Sequence, residues 1–312
     1  MSNDGKIENK PSVRRETAGL ALGFLGVLVF GGTLPATRIA LGVFNPGFVT
    51  FGRATVAAAA AVLLLLVLKR RFPRQDAGAL ALIELLLVFG FPILSSIAMQ
   101  TVPAAHGGVV LGILPLTTSL FAALISGERP SPLFWACGVV GAVLVVLFAL
   151  RDEGMQLSQG DIWLLLSCLA ASLGYVVSGK LSKKMPGWEV ICWALVISAP
   201  FSIVGTWLSW RPEFVTATHA EIAAFFYLGL GSMLLGFFAW NIGLAMGGIA
   251  HVSQVQLLQT FVTIAISAVL LGEVVTGETL LFAFAVVAVV SVGRWARPTH
   301  GDRLRANDKP PA

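Results

Sequence analysis

Apolar runs of about 20 residues recur along the whole chain, each long enough to cross a hydrocarbon core of roughly 30 Å. Lipid offers no water to backbone N–H and C=O groups, so a spanning segment must satisfy them internally. These runs are continuous, whereas barrel strands would alternate, and continuity selects helices. The fold class expected is an all-α polytopic membrane protein. With 56% hydrophobic and 12% charged residues among 312, the chain lacks the charge to cover a water-soluble domain of its size.

Ten transmembrane helices are expected, over 18–42, 46–68, 78–100, 103–125, 132–150, 161–181, 187–209, 220–244, 249–271 and 277–295. The breaks have chemical causes. Asn45-Pro46-Gly47 and Met185-Pro186-Gly187 are turns with Pro near a helix start, and Lys69-Arg70-Arg71 is too charged to bury. Residues 1–17 resemble a signal-peptide n-region, but the run that follows is too long and lacks a small-x-small cleavage site, so the first span reads as uncleaved.

The chain also repeats itself. Ala105-His106, Gly127-Glu128 and a closing apolar run return as Ala250-His251, Gly272-Glu273 and the run to Val292, with no gap. Val110/Val255, Thr118/Thr263 and Ala123/Ala268 fall in the same register. Two units of five helices follow, 18–150 and 151–296, between tails 1–17 and 297–312. Five is odd, so the second unit lies inverted relative to the first, an arrangement of secondary carriers whose site sits near the midplane.

Lys and Arg set the orientation. With both termini cytoplasmic, only Arg151 and Arg211 fall outside and only Arg38 and Arg53 within spans, leaving 17 of the 21 on the cytoplasmic side. This asymmetry explains the net charge of +5 without a nucleic-acid partner. No Asn-x-Ser/Thr sequon occurs, which suits a bacterial inner membrane. Cys137, Cys168 and Cys192 lie in apolar runs and read as small apolar residues, and neither a metal nor a cofactor is expected. Gly174 to Lys180 imitates a phosphate loop, but Leu181 replaces the magnesium-binding hydroxyl and the stretch ends an apolar helix.

The polar residues inside spans are few. Ser253, Gln256, Thr260, Thr263 and Ser267 form one helical stripe, which lines a cavity or glues helices together at about 0.6–2 kcal/mol per contact. Gln254 and Gln259 beside it favour the cavity. His106 and His251 either bridge near helix starts or sense and pass protons at alternate gates. Glu84 is the carboxylate candidate for proton coupling. Arg38 and Arg53 approach the outer side, where either is placed to meet a substrate carboxylate; snorkelling is the simpler reading of Arg38. All six aspartates are read as lying outside the spans. Phe30, Tyr175, Trp193 and Trp240 sit inside spans, Phe30 and Tyr175 as repeat mates, while Trp207, Trp210 and Trp295 look like interfacial anchors. Asn241 and Ser95 are placed to orient a small polar ligand. Pro35, Pro92, Pro115 and Pro200 each free a backbone carbonyl, and Gly-xxx-Gly pairs at Gly19, Gly108 and Gly243 permit close helix approach.

The five-plus-five organisation, Pro115 in mid-helix, the Gly-Glu breaks and the small-residue fifth helix (Gly138, Gly141) resemble the drug/metabolite transporter superfamily, in particular its EamA-type ten-helix members. The resemblance covers nearly all of 18–296. Thr260 opposite Pro115, and Ala283 and Val286 opposite Gly138 and Gly141, depart from a symmetric hinge. What it implies is a basket-like bundle with a cavity walled by helices 1, 3, 4, 6, 8 and 9, in proton- or gradient-linked carriers that export amino acids or other metabolites or import vitamins.

The expected activity is therefore secondary active transport of a small organic, amino-acid-like metabolite, outward, by alternating access, with protons as coupling partner through Glu84, His106 and His251. The candidate cavity residues are Phe30, Thr33, Ser95, Met99, His106, Tyr175, Ser178, Trp193, Trp240, Asn241, His251, Gln254, Gln256, Gln259 and Thr260. Three alternatives stay open: import of a vitamin- or nucleoside-like solute, an intramembrane enzyme built on His106 with Glu84, and a non-transporting scaffold. A monomer and a homodimer are both compatible with the sequence.

Overall fold

The computed structural model describes residues 13–126, 132–150, 158–247 and 253–295. Seven long apolar helices cross the bundle: α1 (Thr17–Ala40), α2 (Pro46–Val67), α3 (Arg74–Ala98), α4 (Ala104–Ile125), α6 (Gln159–Leu181), α7 (Gly187–Ser209) and α8 (His219–Gly243). Three more carry shorter apolar stretches: α5 (Pro132–Leu150), α9 (Gln259–Leu271, led by a 3-10 turn over Ser253–Leu258) and α10 (Gly277–Trp295). At 22–25 residues the long helices reach roughly 33–37 Å, enough to span a bilayer. No strand occurs among the described residues. The phosphate-loop imitation lies within the continuous helix α6.

The packing has the two-fold pattern of inverted repeats. α1 packs on α8 and α3 on α6, and these are mates under exchange of the halves. So are α1 with α9 and α6 with α4, and α2 with α8 and α7 with α3. α2·α7, α4·α9 and α5·α10 pair each helix with its own counterpart. The face where α1 begins is called proximal below, and the opposite one distal.

Close approach is built in by small residues. A Cβ on Gly243 would stand 2.8 Å from both Gly19 O and Gly23 N, backbone atoms that have no room to yield, so the Gly-xxx-Gly faces do bring α1 against α8. Ends are capped by local chemistry: Asn45 accepts from Phe48 N and donates to Ser209 O, each at 2.8 Å, tying the start of α2 to the end of α7. Gly272 ends α9 with a left-handed φ of 63°, a conformation glycine takes without strain. Outward faces stay apolar, with Leu66, Val139, Phe201, Trp207 and Val269 exposed as a lipid-facing surface demands.

Four helices depart from plain α geometry, in two matched pairs. α3 contains a π segment over Glu84–Gly90 and α8 one over Tyr227–Gly236. Shifting the first by the 145 residues that separate His106 from His251 lands it inside the second. α4 tightens to a 3-10 turn over Leu111–Ile113, just before Pro115, and α9 begins with its own 3-10 stretch. Pro92 follows the π segment of α3, and Pro200 lies inside α7. Irregular backbone at membrane depth belongs where protein or a cavity surrounds it, and each of the four segments packs against helices of the opposite half.

Candidate functional site

The broken parts of α4 and α9 face each other across the seam. Gly108 and Gly112 bring them together: a Cβ on the first would meet Thr263 Cγ2 at 2.9 Å, and on the second Thr260 Oγ1 at 3.0 Å. Between them lies a cavity lined by Gly108, Leu111, Leu114, Pro115, Gln256, Gln259, Thr260 and Thr263. Its interior, about 10 Å³, holds about one water, so the seam is closed around it. Gln259 Oε1 is buried without a hydrogen-bond partner among the described residues. Thr263 Oγ1 donates to Gly31 O at 2.9 Å, the carbonyl that Pro35 releases by lacking an N–H four residues on. The polar stripe of α9 therefore does both jobs, lining the cavity and tying α9 to α1.

Beside this cavity stands an aromatic wall. Phe30 meets Phe237 edge-on at 5.1 Å and Trp240 at 6.3 Å, and Tyr175 lies 6.2 Å from Phe237. Three helices, α1, α6 and α8, thus contribute rings to one cluster. Phe237 was not among the expected residues; the signal for it is its place at the end of the π segment. One turn on from Phe30, Thr33 Oγ1 lies 2.8 Å from Ser232 Oγ. Ser178, the repeat mate of Thr33, is buried on α6.

Other expected residues are differently occupied. Ser95 Oγ donates to Phe91 O at 2.7 Å, and Asn241 Nδ2 to Gly187 O at 2.9 Å, so both polar groups are engaged by backbone. Met99 is buried under Gly107, and its carbonyl accepts from Arg38. Trp193 packs edge-on against Phe72 at 5.4 Å, towards the proximal face and away from the aromatic wall. His251 and the side chain of Gln254 lie outside the described residues.

At the distal face the halves are joined by charge. Glu273, in the loop between α9 and α10, accepts from Ala104 N at 2.8 Å and Ala105 N at 2.7 Å, capping α4 from the other half. Arg38 Nε stands 3.8 Å from the same carboxylate, and its Nη1 donates to Met99 O and Val102 O. Arg38 is thus a clasp between helix ends. One turn into the bundle, His106 Nε2 meets Asp161 Oδ1 at 2.7 Å, and its ring lies 4.7 Å from that of Phe148. This corrects two expectations: Asp161 is a buried residue of the first turn of α6, and His106 pairs with it and not with Glu84. The sequence signal for Asp161 was Ser158-x-x-Asp161, a capping box that the structure forms in full. Glu84, first residue of the π segment, is buried with no hydrogen bond or ion pair to a described residue. At the proximal face, Arg70–Glu189 at 3.2 Å and Lys184–Asp76 at 2.9 Å clasp the ends of α2, α3, α6 and α7.

The family model for EamA-like transporters matches this chain twice, over residues 17–151 and 158–292. This chain belongs to the EamA-like transporter family. An uncharacterised transporter of Bacillus subtilis, YdeK, is 40% identical over 90% of this chain and 99% of the relative. A probable terminal-alkyne amino-acid exporter of Streptantibioticus cattleyicolor is 26% identical over 80% of this chain and 84% of its own length. The aromatic amino acid exporter YddG of Ancylobacter novellus is 27% identical over 52% of this chain and 57% of its own. A solved crystal structure shares the fold, with a TM-score of 0.60 at 23% identity over 89% of this chain and 98% of that one. As an EamA-like transporter, the chain is a multi-pass membrane protein that moves a small solute and is not an enzyme. The catalytic alternative falls with the His106–Glu84 pairing on which it stood.

Proposed function

We propose that the protein exports an amino-acid-like solute across the bacterial inner membrane by alternating access, driven by protons. The observation that carries this reading is the meeting of two broken helices at a cavity with amides and hydroxyls on one side and an aromatic wall beside it. Phe30, Thr33, Tyr175, Ser178, Trp240, Gln256, Gln259 and Thr260 are the residues of this region that would touch the solute. Amides and hydroxyls offer donors and acceptors to an amino acid's polar end, and the rings offer area to its side chain. Two relatives carry names as amino-acid exporters, which supports the solute class and the direction.

The Lys and Arg distribution supports a cytoplasmic proximal face and cytoplasmic termini. On that orientation the Arg38–Glu273 clasp and the His106–Asp161 pair close the outer end. Glu84 and the two histidines are the proposed proton carriers.

Counterflow in proteoliposomes against a panel of amino acids, vitamins and nucleosides tests the reading. Exchange of one or more amino acids, with accumulation raised by an imposed pH gradient, is the expected result. Exchange confined to vitamins or nucleosides would replace the amino-acid assignment, and exchange unmoved by pH would remove the proton.

A further inference from the structure

Arg53 lies on α2 about 10 Å beyond the helix start at Pro46, deep enough to be cut off from water, and only 3% of its surface is exposed. Its Nη2 reaches Ser232 Oγ at 3.5 Å; Nε and Nη1 have no hydrogen-bond partner among the described residues. None of the described carboxylates pairs with it either. A buried guanidinium left without an anion is among the least favourable arrangements a protein interior can hold. Arginine cannot escape by losing its proton, so the charge stays and calls for a counter-ion. Within membrane spans such a group is retained for what it binds.

Its neighbours define the shape of that anion. Ser232 Oγ, beside the guanidinium, lies 2.8 Å from Thr33 Oγ1, so a cation and two hydroxyls converge from α2, α8 and α1. Ser232 belongs to the π segment of α8, whose widened turn sets it towards α1 and α2. Thr33 is three residues from Phe30, which opens the aromatic wall of Phe237, Trp240 and Tyr175. A fork of donors suited to a carboxylate therefore stands one helical turn from a surface suited to a ring. We infer that Arg53, with Thr33 and Ser232, binds the carboxylate of the transported solute while an aromatic or large apolar side chain lies against Phe30, Phe237 and Trp240. This rests on the amino-acid reading above and adds to it the group that selects acids over neutral analogues.

The test is a thermal-shift titration of the purified protein in lipid nanodiscs. The probes are L-phenylalanine and 3-phenylpropanoate, with their amides as counterparts that lack the carboxylate and sodium chloride as the inorganic anion. Both carboxylates are expected to raise the melting temperature, and the amides and chloride to leave it unchanged. R53Q should raise the half-saturating concentration at least tenfold, whereas R53K should keep the preference for acid over amide. R53Q is also expected to melt at or above the wild type without probe, since it removes an unpaired buried charge. Should R53Q fail to accumulate, R53K and S232A carry the same comparison, with S232A weakening the carboxylate response alone. An equal response to the amides or to chloride, or a carboxylate response unchanged in R53Q and S232A, would overturn the assignment. A carboxylate response that needs Arg53, without any amino-acid counterflow, would leave this site standing and sink the export reading. Amino-acid counterflow at the wild-type rate in R53Q would do the reverse.

Discussion

His106 Nε2 lies 2.7 Å from Asp161 Oδ1, both side chains buried, and the bond joins α4 of the first half to the opening turn of α6 in the second. Asp161 is held from its other side by Ser158, whose hydroxyl donates to Oδ2 at 2.7 Å. Removing one partner leaves a buried polar group unsatisfied, at a cost of about 1–3 kcal/mol. D161A is expected to lower the thermal unfolding temperature strongly and H106A somewhat less, because Asp161 also caps α6. The double variant should show coupling in a double-mutant cycle; strictly additive losses would mean the contact contributes nothing of its own.

Glu273 caps a helix that belongs to the other half of the protein. E273A should therefore do two things at once: cost about 1–2 kcal/mol as a lost helix cap, and loosen the distal end of the seam. The second effect can be read by labelling a cysteine placed at Val102 with a membrane-impermeant maleimide, since the three native cysteines are buried. Labelling should be faster in E273A than in the parent. An unchanged rate would show that Arg38, through its bonds to Met99 O and Val102 O, keeps the end shut alone.

Glu84 carries a carboxyl into the π segment of α3 with no partner among the described residues. If it is the proton carrier, E84Q should retain solute counterflow, which needs no net proton movement, and lose pH-driven accumulation. Retention of both would remove Glu84 from the coupling mechanism.

Two glycines give a matched pair of packing probes. G243A places a methyl group 2.8 Å from backbone atoms of Gly19 and Gly23 and should destabilise by about 1–3 kcal/mol through overpacking. G138A meets nothing within 4 Å and should leave unfolding unchanged or slightly improved, because alanine is the better helix former. Equal effects in the two would contradict the close α1–α8 approach.

The spans were legible because the bilayer imposes a length and a hydrophobicity that no soluble helix needs, and the His and Gly-Glu landmarks exposed the repeat. What those landmarks do was not legible. Glu273 reads locally as a break, and its partners at Ala104 and Ala105 become visible only when the halves meet. Asp161 was hidden for a similar reason: it follows a polar stretch, and its capping box looks like an ordinary interfacial helix start until His106 arrives above it. Ser95 and Asn241 misled in the other direction. A polar side chain in an apolar run suggests a ligand, but both turn to backbone carbonyls, the nearest acceptors available in lipid. Phe30 and Tyr175 occupy matching places in the two repeats, and with Trp240 they come together around Phe237, a ring the sequence did not single out.

The π segments of α3 and α8 each fit one more residue into a turn than an α-helix accommodates, at the same place in both copies. Deleting a single residue from either segment would restore plain helical geometry in one half only and turn the remainder of that helix by about 100°.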